Sequence, residues 1–294
     1  MKKNILILGS TGMLGMEVLR SFQSINNVNI YASYRKKQYL KNLNKKKTTF
    51  FKFDVDHTNI LKRLSKKKIL VINCIGIIKP FINETDSNSI FEAIKVNTNF
   101  PHMLKKIFLK KKGNKIYQIA TDCVYSGNKG NYLESSAHDC TDVYGKTKSL
   151  GEVVHSKFYN IRCSIIGPEI KNKVSLLEWF KSQKKGSNLT GFANHSWNGL
   201  TTHAYAEALR SIIVNKIKIP NDFHLLPKKQ ISKYELLLEF KKKFLRNDLK
   251  IKKINHSFNI NRTLNSKYKK INQIIWKQSK YYAVPTIQQM VSDL

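Results

Sequence analysis

Residues Asn4–Gln23 read NILILGSTGMLGMEVLRSFQ, and this stretch alone predicts the class of fold. The apolar run Asn4–Leu8 is typical of a buried parallel strand, and the residues after Gly15 have the spacing of a helix. Between strand and helix lies a turn with Gly9, Gly12 and Gly15 at every third position. Strand, glycine turn and helix in this order are the context that a dinucleotide-binding fingerprint requires, here as GxxGxxG and not GxGxxG.

The glycine turn is the first group of candidate cofactor contacts. Gly9 permits the tight turn, Gly12 lets the backbone approach a pyrophosphate, and Gly15 lets the helix pack close to the strand. The helix N-terminus then offers N–H groups and a positive dipole end to the phosphates. The candidates in this stretch are Gly9, Thr11, Gly12, Met13, Leu14 and Gly15.

A second strand, residues 28–33 (VNIYAS), ends just before Arg35. In a Rossmann unit an acidic residue at this position binds the 2′-OH of NAD, and a basic one accommodates the 2′-phosphate of NADP. Arg35 stands here without a nearby Asp or Glu, so we expect NADPH, with NADH as the alternative. The other interpretation is that Arg35 is one more surface cation.

Later strands supply further candidates for cofactor binding. A third strand, residues 48–53, leads to Asp54, which is placed to contact an adenine amino group, and a fourth covers Ile69–Ile75, beside the expected ribose position. A helix over Ser89–Asn99 carries Asn97, which we expect to tie that helix to the central strands. These candidates are Asp54, Val55, Cys74, Ile75, Gly76 and Asn97.

The fifth strand, Lys115–Ala120, delivers Thr121, and further along the chain Tyr144 and Lys148 are four residues apart. On a helix, side chains at i and i+4 project from one face. The Lys148 ammonium is expected to lower the Tyr144 pKa, because a positive charge favours the phenolate. Together with the Thr121 hydroxyl, the pair can protonate a carbonyl oxygen while a hydride arrives at the carbon. The alternative is a Tyr and a Lys that share a solvated helix by chance.

Strands alternating with helical segments predict an α/β fold, a Rossmann-type doubly wound parallel sheet. A sixth strand, residues 160–166, is expected to complete the sheet. We therefore expect a dinucleotide-binding domain over residues 1–166. Residues 167–294 are expected to form mainly a smaller substrate-binding lobe, with some segments returning to the first domain. Its predicted parts are helices near 175–183, 204–214 and 231–244 and a loop over 186–202.

The net charge of +34 over 294 residues invites a nucleic-acid interpretation. The excess is nearly all lysine, in short runs scattered along the whole chain: Lys45–Lys47, Lys66–Lys68, Lys110–Lys112 and Lys241–Lys243. Such scatter is typical of solvated surface and not of a focused patch. We expect no specific nucleic-acid partner, although the charge should attract anionic ligands generally.

Other features of composition narrow the class of protein. No apolar run is long enough to cross a bilayer, and the N-terminus is broken by glycine too soon for a signal peptide. The four cysteines form no CxxC pair, which favours reduced thiols in a cytoplasmic protein. The eight histidines show no ligand spacing, so no metal site is expected.

With these motifs in register, the chain resembles the extended short-chain dehydrogenases/reductases that act on nucleotide sugars, and most of all the dTDP-4-dehydrorhamnose reductases. The resemblance covers nearly the whole length. It rests on GSTGMLG (9–15), ATDCVYSG (120–127), VYGKTKSLGE (143–152), IRCSIIG (161–167), NGLTT (198–202) and RTLNS (262–266). The middle motifs are specific to the subfamily, whereas the glycine turn alone is not.

The resemblance implies a catalytic triad. Tyr144 would protonate the C4 keto oxygen, Lys148 would bind the nicotinamide ribose, and Thr121 would orient the carbonyl. The implied reaction is the NADPH-dependent reduction of a nucleotide-linked 4-dehydro-6-deoxy sugar. The implied role is supply of rhamnose or a related deoxysugar for surface polysaccharide, and a homodimer is the candidate assembly. Cys123, Cys163 and Leu200 depart from the family pattern, which leaves the exact sugar open.

The sugar-nucleotide side is expected in the second lobe, lined by the loop over residues 186–202. The candidates for substrate contact are Asp122, Val124, Trp197, Asn198 and Thr201. For Trp197 the alternative is a core residue of that lobe.

Two other functions remain open at this stage. One is an NAD-dependent epimerase or dehydratase, but dehydratases of this superfamily place Glu where this chain has Cys123, and they retain NAD, which fits Arg35 poorly. The other is a non-catalytic regulatory relative, against which the intact Thr121, Tyr144 and Lys148 set argues.

Overall fold

The computed structural model describes residues 2–41, 43–45, 47–171 and 173–294. Its strands are β1 (Lys3–Leu8), β2 (Val28–Tyr34), β3 (Thr48–Lys52), β4 (Ile69–Asn73), β5 (Lys115–Ala120), β6 (Phe158–Arg162), β7 (Ile165–Ile166), β8 (Asn188–Phe192), β9 (His195–Trp197), β10 (Leu200–Thr201), β11 (Asp222–His224), β12 (Ile231–Ser232), β13 (Lys250–Ile254) and β14 (Ile260–Asn261).

The α-helices are α1 (Met13–Gln23), α2 (Asn59–Leu64), α3 (Ser87–Ala93), α4 (Phe100–Phe108), α5 (Val143–Leu150), α6 (Leu176–Lys181), α7 (Thr202–Val214), α8 (Lys233–Lys243), α9 (Lys269–Lys277) and α10 (Ile287–Ser292). A π-helix, Ile94–Asn99, joins α3 to α4. The helix expected over residues 89–99 is therefore α3 followed by a wider turn. None of the helices in the described residues is long and apolar enough to cross a membrane.

Among the described residues, seven strands form the main sheet in the order β11-β6-β5-β4-β1-β2-β3. Every neighbouring pair from β6 to β3 is parallel. The predicted Rossmann-type parallel sheet is confirmed. Its central strands are apolar because both of their faces are covered, and Ile5–Leu8 are fully buried. Leu6 and Leu8 share a core cluster with Leu104 and Phe108 of α4.

The expectation that the sheet is complete at residue 166 is wrong. The predicted strand 160–166 stops at Arg162, and β7 pairs instead with β10 in a separate small sheet. The outer place beside β6 is taken by β11, where the Asn160 N–H donates to Asn221 O at 2.6 Å. A three-residue strand is too short to show a period-two pattern in the sequence. The expected loop over 186–202 likewise contains β8, β9 and β10.

The chain divides into two compact units. The first covers Met1–Val124, Cys140–Arg162 and Lys218–Phe223, and the second covers Tyr125–Asp139, Cys163–Ile217 and His224–Leu294. The domains expected over 1–166 and 167–294 stay a prediction about domain organisation.

Candidate active site

The glycine turn is held in place by the end of β2. Gly9 has a φ of +81°, a conformation that glycine adopts without strain. Its N–H donates to Ser33 Oγ at 2.8 Å, and the Ser10 N–H donates to Ser33 O at 3.1 Å. The Gly12 N–H donates back to Gly9 O at 3.0 Å, which closes the turn before α1 begins.

Gly12 and Gly15 are glycines for different reasons. A Cβ at Gly15 would collide with the carbonyl oxygen of Gly9, so close packing of α1 on the turn requires glycine. A Cβ at Gly12 would meet only Gly9 O, at 3.3 Å. Packing within the chain therefore explains Gly15 far better than Gly12. Gly12 precedes α1, and the first turn of that helix carries no acidic residue. The residues present fit a pyrophosphate at this turn.

The predicted adenosine contacts follow neighbouring strands. Arg35 comes directly after β2 and is exposed, and Asp54 follows β3 after one residue. The two strand ends are joined by the bond from Phe53 N–H to Tyr34 O at 2.9 Å. Both candidates thus lie at the carboxyl edge of the sheet, where dinucleotides bind in Rossmann folds. Val55, beside Asp54, is buried.

The candidates after β4 are tied to α5 through Asn97. Asn97 is buried; its Oδ1 accepts from the Ile77 N–H at 2.9 Å, and its Nδ2 donates to Ile77 O at 3.0 Å. The same Nδ2 reaches Thr147 Oγ1 of α5 at 3.2 Å. Cys74, Ile75 and Gly76 occupy the loop just before this anchor. Burial raises the pKa of the Cys74 thiol to about 12, so the thiol stays neutral.

The π-helix also positions α5. Thr98 Oγ1 donates to Thr147 O at 2.8 Å, and a Cβ on Gly151 would collide with Asn97 O. At its other end α5 is capped by Asp142, whose carboxylate accepts the Gly145 N–H at 2.7 Å. These contacts hold α5 at both ends and so fix the position of the helix that carries Tyr144 and Lys148.

Thr121, Tyr144 and Lys148 are brought together in the first unit. The Thr121 hydroxyl lies beside the Tyr144 phenol and acts on it. Lys148 is buried, and its Nζ donates to Ile119 O on β5 at 2.9 Å. A proton donor, a hydrogen-bonding hydroxyl and a cation therefore share one small volume at the end of β5.

Burial controls the protonation of this group. Burial raises the pKa of Tyr144 well above its usual range, and the nearby Cys123 raises it further. The expectation that Lys148 lowers this pKa is wrong for this structure: burial has the largest effect on the phenol, and Lys148 is not among the groups that shift its pKa. Burial also lowers the pKa of Lys148 to about 8, opposed by the carboxylate of Glu152.

A buried ion pair next to Lys148 was not among the predicted site residues. Arg162 Nε donates to the two carboxylate oxygens of Glu152 at 2.8 and 3.0 Å, and both side chains are buried. Arg162 pairs with Ala120 in the sheet, and Ala120 is the residue just before Thr121. Glu152 follows Lys148 by four residues, just beyond the end of α5, and this spacing is the sequence signal that could have found it.

The predicted substrate contacts fall in both units. In the first, Asp122 Oδ1 accepts from Thr121 Oγ1 at 3.3 Å, and the Val124 side chain is fully buried. In the second, Trp197 is buried and donates from Nε1 to Ser164 Oγ at 2.9 Å. This contact supports the core interpretation of Trp197, and contact with substrate stays a prediction.

Asn198 and Thr201 also have structural roles in the second unit. Asn198 bonds both the N–H and the C=O of Leu264, at 3.0 and 2.7 Å. Thr201 caps α7 by accepting the Ala204 N–H at 3.2 Å. Substrate contact by these two residues likewise stays a prediction.

A parallel sheet with a glycine turn after its first strand and a Thr-Tyr-Lys group after its fifth defines a class, the dinucleotide-dependent short-chain dehydrogenases/reductases. Residues 1–293 match the family described as RmlD substrate binding domain. The chain belongs to this family, the dTDP-4-dehydrorhamnose reductase family of the extended short-chain dehydrogenases/reductases, which are NAD(P)-dependent enzymes. The resemblance stated from the sequence motifs is confirmed.

No curated protein matches the chain. Solved structures share its fold. A dTDP-4-dehydrorhamnose reductase from Clostridium acetobutylicum is 19% identical, with a TM-score of 0.72, and the match covers 99% of this chain and 97% of that one. The Bacillus anthracis dTDP-4-dehydrorhamnose reductase in complex with NADP is 15% identical, with a TM-score of 0.71 and coverage of 100% and 97%.

An enzyme of different activity has the same fold. The UDP-glucuronic acid 4-epimerase from Bacillus cereus in complex with NAD is 15% identical, with a TM-score of 0.74 and coverage of 98% and 94%. The structures similar to this chain thus include both an NADP and an NAD complex, which agrees with the predicted NADPH and its alternative NADH.

Proposed function

We propose that this chain reduces the 4-keto group of a nucleotide-linked 4-dehydro-6-deoxy sugar with NADPH. The observation that carries the proposal is the grouping of Thr121, Tyr144 and Lys148 at the end of β5. Hydride addition to a ketone leaves an alkoxide that must take up a proton, and this group provides a proton donor beside a hydroxyl, with a cation one turn further along the same helix.

The cofactor would lie along the carboxyl edge of the sheet. The turn at Gly12 and the first N–H groups of α1 would hold the pyrophosphate, Arg35 the 2′-phosphate and Lys148 the nicotinamide ribose. When bound, the reduced nicotinamide supplies the hydride. Arg35→Asp should reverse the order of affinity for NADPH and NADH; tighter NADH binding by the unaltered protein would refute the role of Arg35.

Tyr144 would give its proton to the C4 oxygen, oriented by the Thr121 hydroxyl. The raised pKa of Tyr144 keeps the phenol protonated at neutral pH, so the donor is in the required state before reaction. An alkoxide is far more basic than a phenolate, and the transfer therefore remains downhill. Lys148, when charged, stabilises the tyrosinate that is left.

Family membership supports the wider parts of the proposal. The product would be rhamnose or a related deoxysugar in nucleotide-linked form, supplied for surface polysaccharide. The enzyme would act in the cytoplasm as a homodimer, with residues 1–166 binding the dinucleotide and residues 167–294 mainly the sugar nucleotide.

A second candidate is an epimerase that retains NAD through its cycle. The shared fold of the Bacillus cereus epimerase favours it. The two functions differ in stoichiometry, because a reductase consumes one NADPH for each sugar and an epimerase consumes none.

The deciding experiment measures NADPH oxidation with a panel of dTDP-, UDP- and GDP-linked 4-keto-6-deoxyhexoses. We expect one NADPH oxidised for each sugar reduced with at least one member of the panel. Isomerisation of a sugar nucleotide with bound NAD and no net oxidation would establish the epimerase instead.

A further inference from the structure

Leu245, just beyond the C-terminal end of α8, is a large apolar side chain that the fold leaves in water. It is 80% exposed, and its backbone has a φ of +52°. Glycine or asparagine is usual at such a position after a helix, because a left-handed backbone is unfavourable for a bulky residue. Neither burial nor backbone conformation favours leucine here, so a contact outside the chain would account for it.

Trp179, on α6, is a second exposed apolar side chain. The next residue, Phe180, packs on Phe240 of α8 with ring centroids 5.6 Å apart, whereas Trp179 is 39% exposed. All three tryptophans lie in the described part of the chain, and the other two, Trp197 and Trp276, are buried. Tryptophan is highly buried on average in folded proteins, so its exposure here adds to the observation on Leu245.

Hydrogen bonds join the end of α8 to the end of α6 and place both side chains on one part of the surface. Arg246, next to Leu245, donates from its guanidinium to Gln183 O at 2.8 Å. Gln183 Nε2 in turn donates to Trp179 O at 2.7 Å. The Arg246 guanidinium is also paired with the Asp248 carboxylate at 2.9 Å. Contacts within the second unit therefore hold Trp179 and Leu245 near each other.

The chain around these two residues is cationic. Residues 171–185 contain five lysines and one acid, Glu178, and residues 241–246 contain four cations and no acid. Glu178 is buried, and its Oε1 accepts the Glu169 N–H at 3.2 Å, so this carboxylate does not face solvent. The exposed lysines that follow Trp179 or precede Leu245 are Lys181, Lys184, Lys185 and Lys242. We call Trp179, Leu245 and these four lysines the basic apolar surface.

We propose that the basic apolar surface binds the face of an anionic lipid bilayer, with Trp179 and Leu245 in the interfacial layer and the lysines against the headgroups. Lysines attract anionic headgroups, and tryptophan and leucine are favourable at the boundary between headgroups and acyl chains. Two apolar side chains that project from the protein suit a fluid bilayer, because a folded protein partner would need a matching pocket for each of them. None of these six residues is assigned to catalysis or to cofactor binding.

The first test measures sedimentation of the full chain with vesicles of phosphatidylcholine, with and without phosphatidylglycerol. Trp179→Ser/Leu245→Asn is compared with Phe91→Ser/Phe258→Asn, which removes two exposed apolar side chains elsewhere. We expect the first variant to raise the Kd for the anionic vesicles about tenfold or more, and the control to change it less than about twofold. Equal effects of the two variants would overturn the proposal, and so would absence of binding by the unaltered protein.

Leu245→Asn alone separates a lost contact from a damaged fold. Asparagine tolerates the positive φ better than leucine, so this variant should raise the Tm by about 1–3 °C. It should nevertheless bind the anionic vesicles more weakly than the unaltered protein. Unweakened binding would remove Leu245 from the surface and would overturn the proposal. Activity and NADPH affinity should stay unchanged in this variant.

The second test distinguishes the basic apolar surface from the net charge of the whole chain. Lys184→Gln/Lys185→Gln/Lys242→Gln is compared with Lys62→Gln/Lys112→Gln/Lys270→Gln, which removes the same charge from exposed lysines elsewhere. Since a lysine near an anionic membrane contributes about fivefold in affinity, we expect the first variant to weaken binding about tenfold or more and the control far less. Equal weakening would mean general attraction to a positive protein and would overturn the proposal.

Fluorescence tests whether Trp179 enters the bilayer. Vesicles that contain brominated lipid should quench the emission of the unaltered protein, and Trp179→Phe should remove the quenching, because the other two tryptophans are buried. Binding without quenching would mean contact through charge alone and would overturn the proposal. Binding to poly-glutamate but not to anionic vesicles, lost in the same variants, would assign the surface to an acidic protein instead. These measurements need no turnover, so they stand or fail independently of the proposed reduction.

Discussion

Tyr144 and Lys148 are four residues apart, and burial acts on both in the direction of the neutral form. It raises the pKa of Tyr144 and lowers that of Lys148 to about 8. At neutral pH the phenol therefore holds its proton while Lys148 is still mostly charged. These are the states in which a proton donor and a supporting cation work together.

Removing the phenolic hydroxyl should remove chemistry and spare binding. We expect Tyr144→Phe to lower kcat by about 10²-fold or more, the scale of a lost general acid, with the Kd for NADPH nearly unchanged. Lys148→Met is the matched comparison and should weaken both, since Lys148 is also assigned to the ribose. A Tyr144→Phe protein that turned over at close to the original rate would remove α5 from the active centre.

The Glu152 carboxylate should shift the alkaline limit of activity, which the deprotonation of Lys148 sets. Lys148 is required charged, so kcat/KM should fall as pH rises through about 8, where Lys148 loses its proton. Glu152 raises that pKa, and Glu152→Gln should therefore move the fall to lower pH and leave the acid side unchanged. The measurement is the pH profile of kcat/KM.

Asp222→Asn is the control for this effect. Its carboxylate lies 3.9 Å from Arg162 and is 43% exposed, so the profile should keep its position. An unshifted profile in a folded Glu152→Gln protein would limit the ion pair to a structural role.

At the scale of elements, two glycines of the turn between β1 and α1 have different roles, one in packing and the other in cofactor binding. Gly15→Ala should destabilise the fold by about 1–3 kcal/mol, because the methyl group collides with Gly9 O. Gly12→Ala meets only one atom of the chain, at 3.3 Å, and should cost less stability. It should instead weaken NADPH binding about tenfold or more, since a methyl group would intrude on the pyrophosphate.

Thermal melts give the stability of each glycine variant, and cofactor titrations give its Kd for NADPH. The idea fails if Gly12→Ala binds NADPH normally, or if Gly15→Ala is as stable as the unaltered protein. Normal NADPH binding by Gly12→Ala would mean that the turn has only a structural role.

At the scale of the whole molecule, the net charge of +34 should act on every anionic ligand. We expect the KM for NADPH to rise about threefold or more as salt increases from roughly 0.05 to 0.5 M, because the attraction is screened. The value of kcat should change little, since the buried site at Lys148 is less screened. Sucrose at equal osmolarity is the control, and a KM that does not respond to salt would contradict the prediction.

Much of the first unit was predictable from local sequence. The apolar runs, the glycine spacing and the alternation of strand and helix depend on neighbours a few residues apart, and they predicted the parallel sheet and the edge that holds the turn. The i, i+4 spacing placed Tyr144 and Lys148 on one helix. Each of these signals is a regularity of the chain itself.

Other features depend on residues that are distant along the chain, and no local pattern carries them. β11 joins the sheet because Asn160 and Asn221, with 60 residues between them, meet in the folded chain, and a three-residue strand leaves no periodic signal. The pKa of Tyr144 goes up and not down because burial, a property of the assembled fold, has the largest effect on the phenol. The packing of α9 against the loop after β11 likewise joins Asn272 to Leu226, 46 positions earlier in the chain. Spacing along the chain thus settled the parallel strands up to β6 and the helix that carries Tyr144 and Lys148. Exclusion of water and long-range packing settled the outer strand β11 and the protonation of the buried groups.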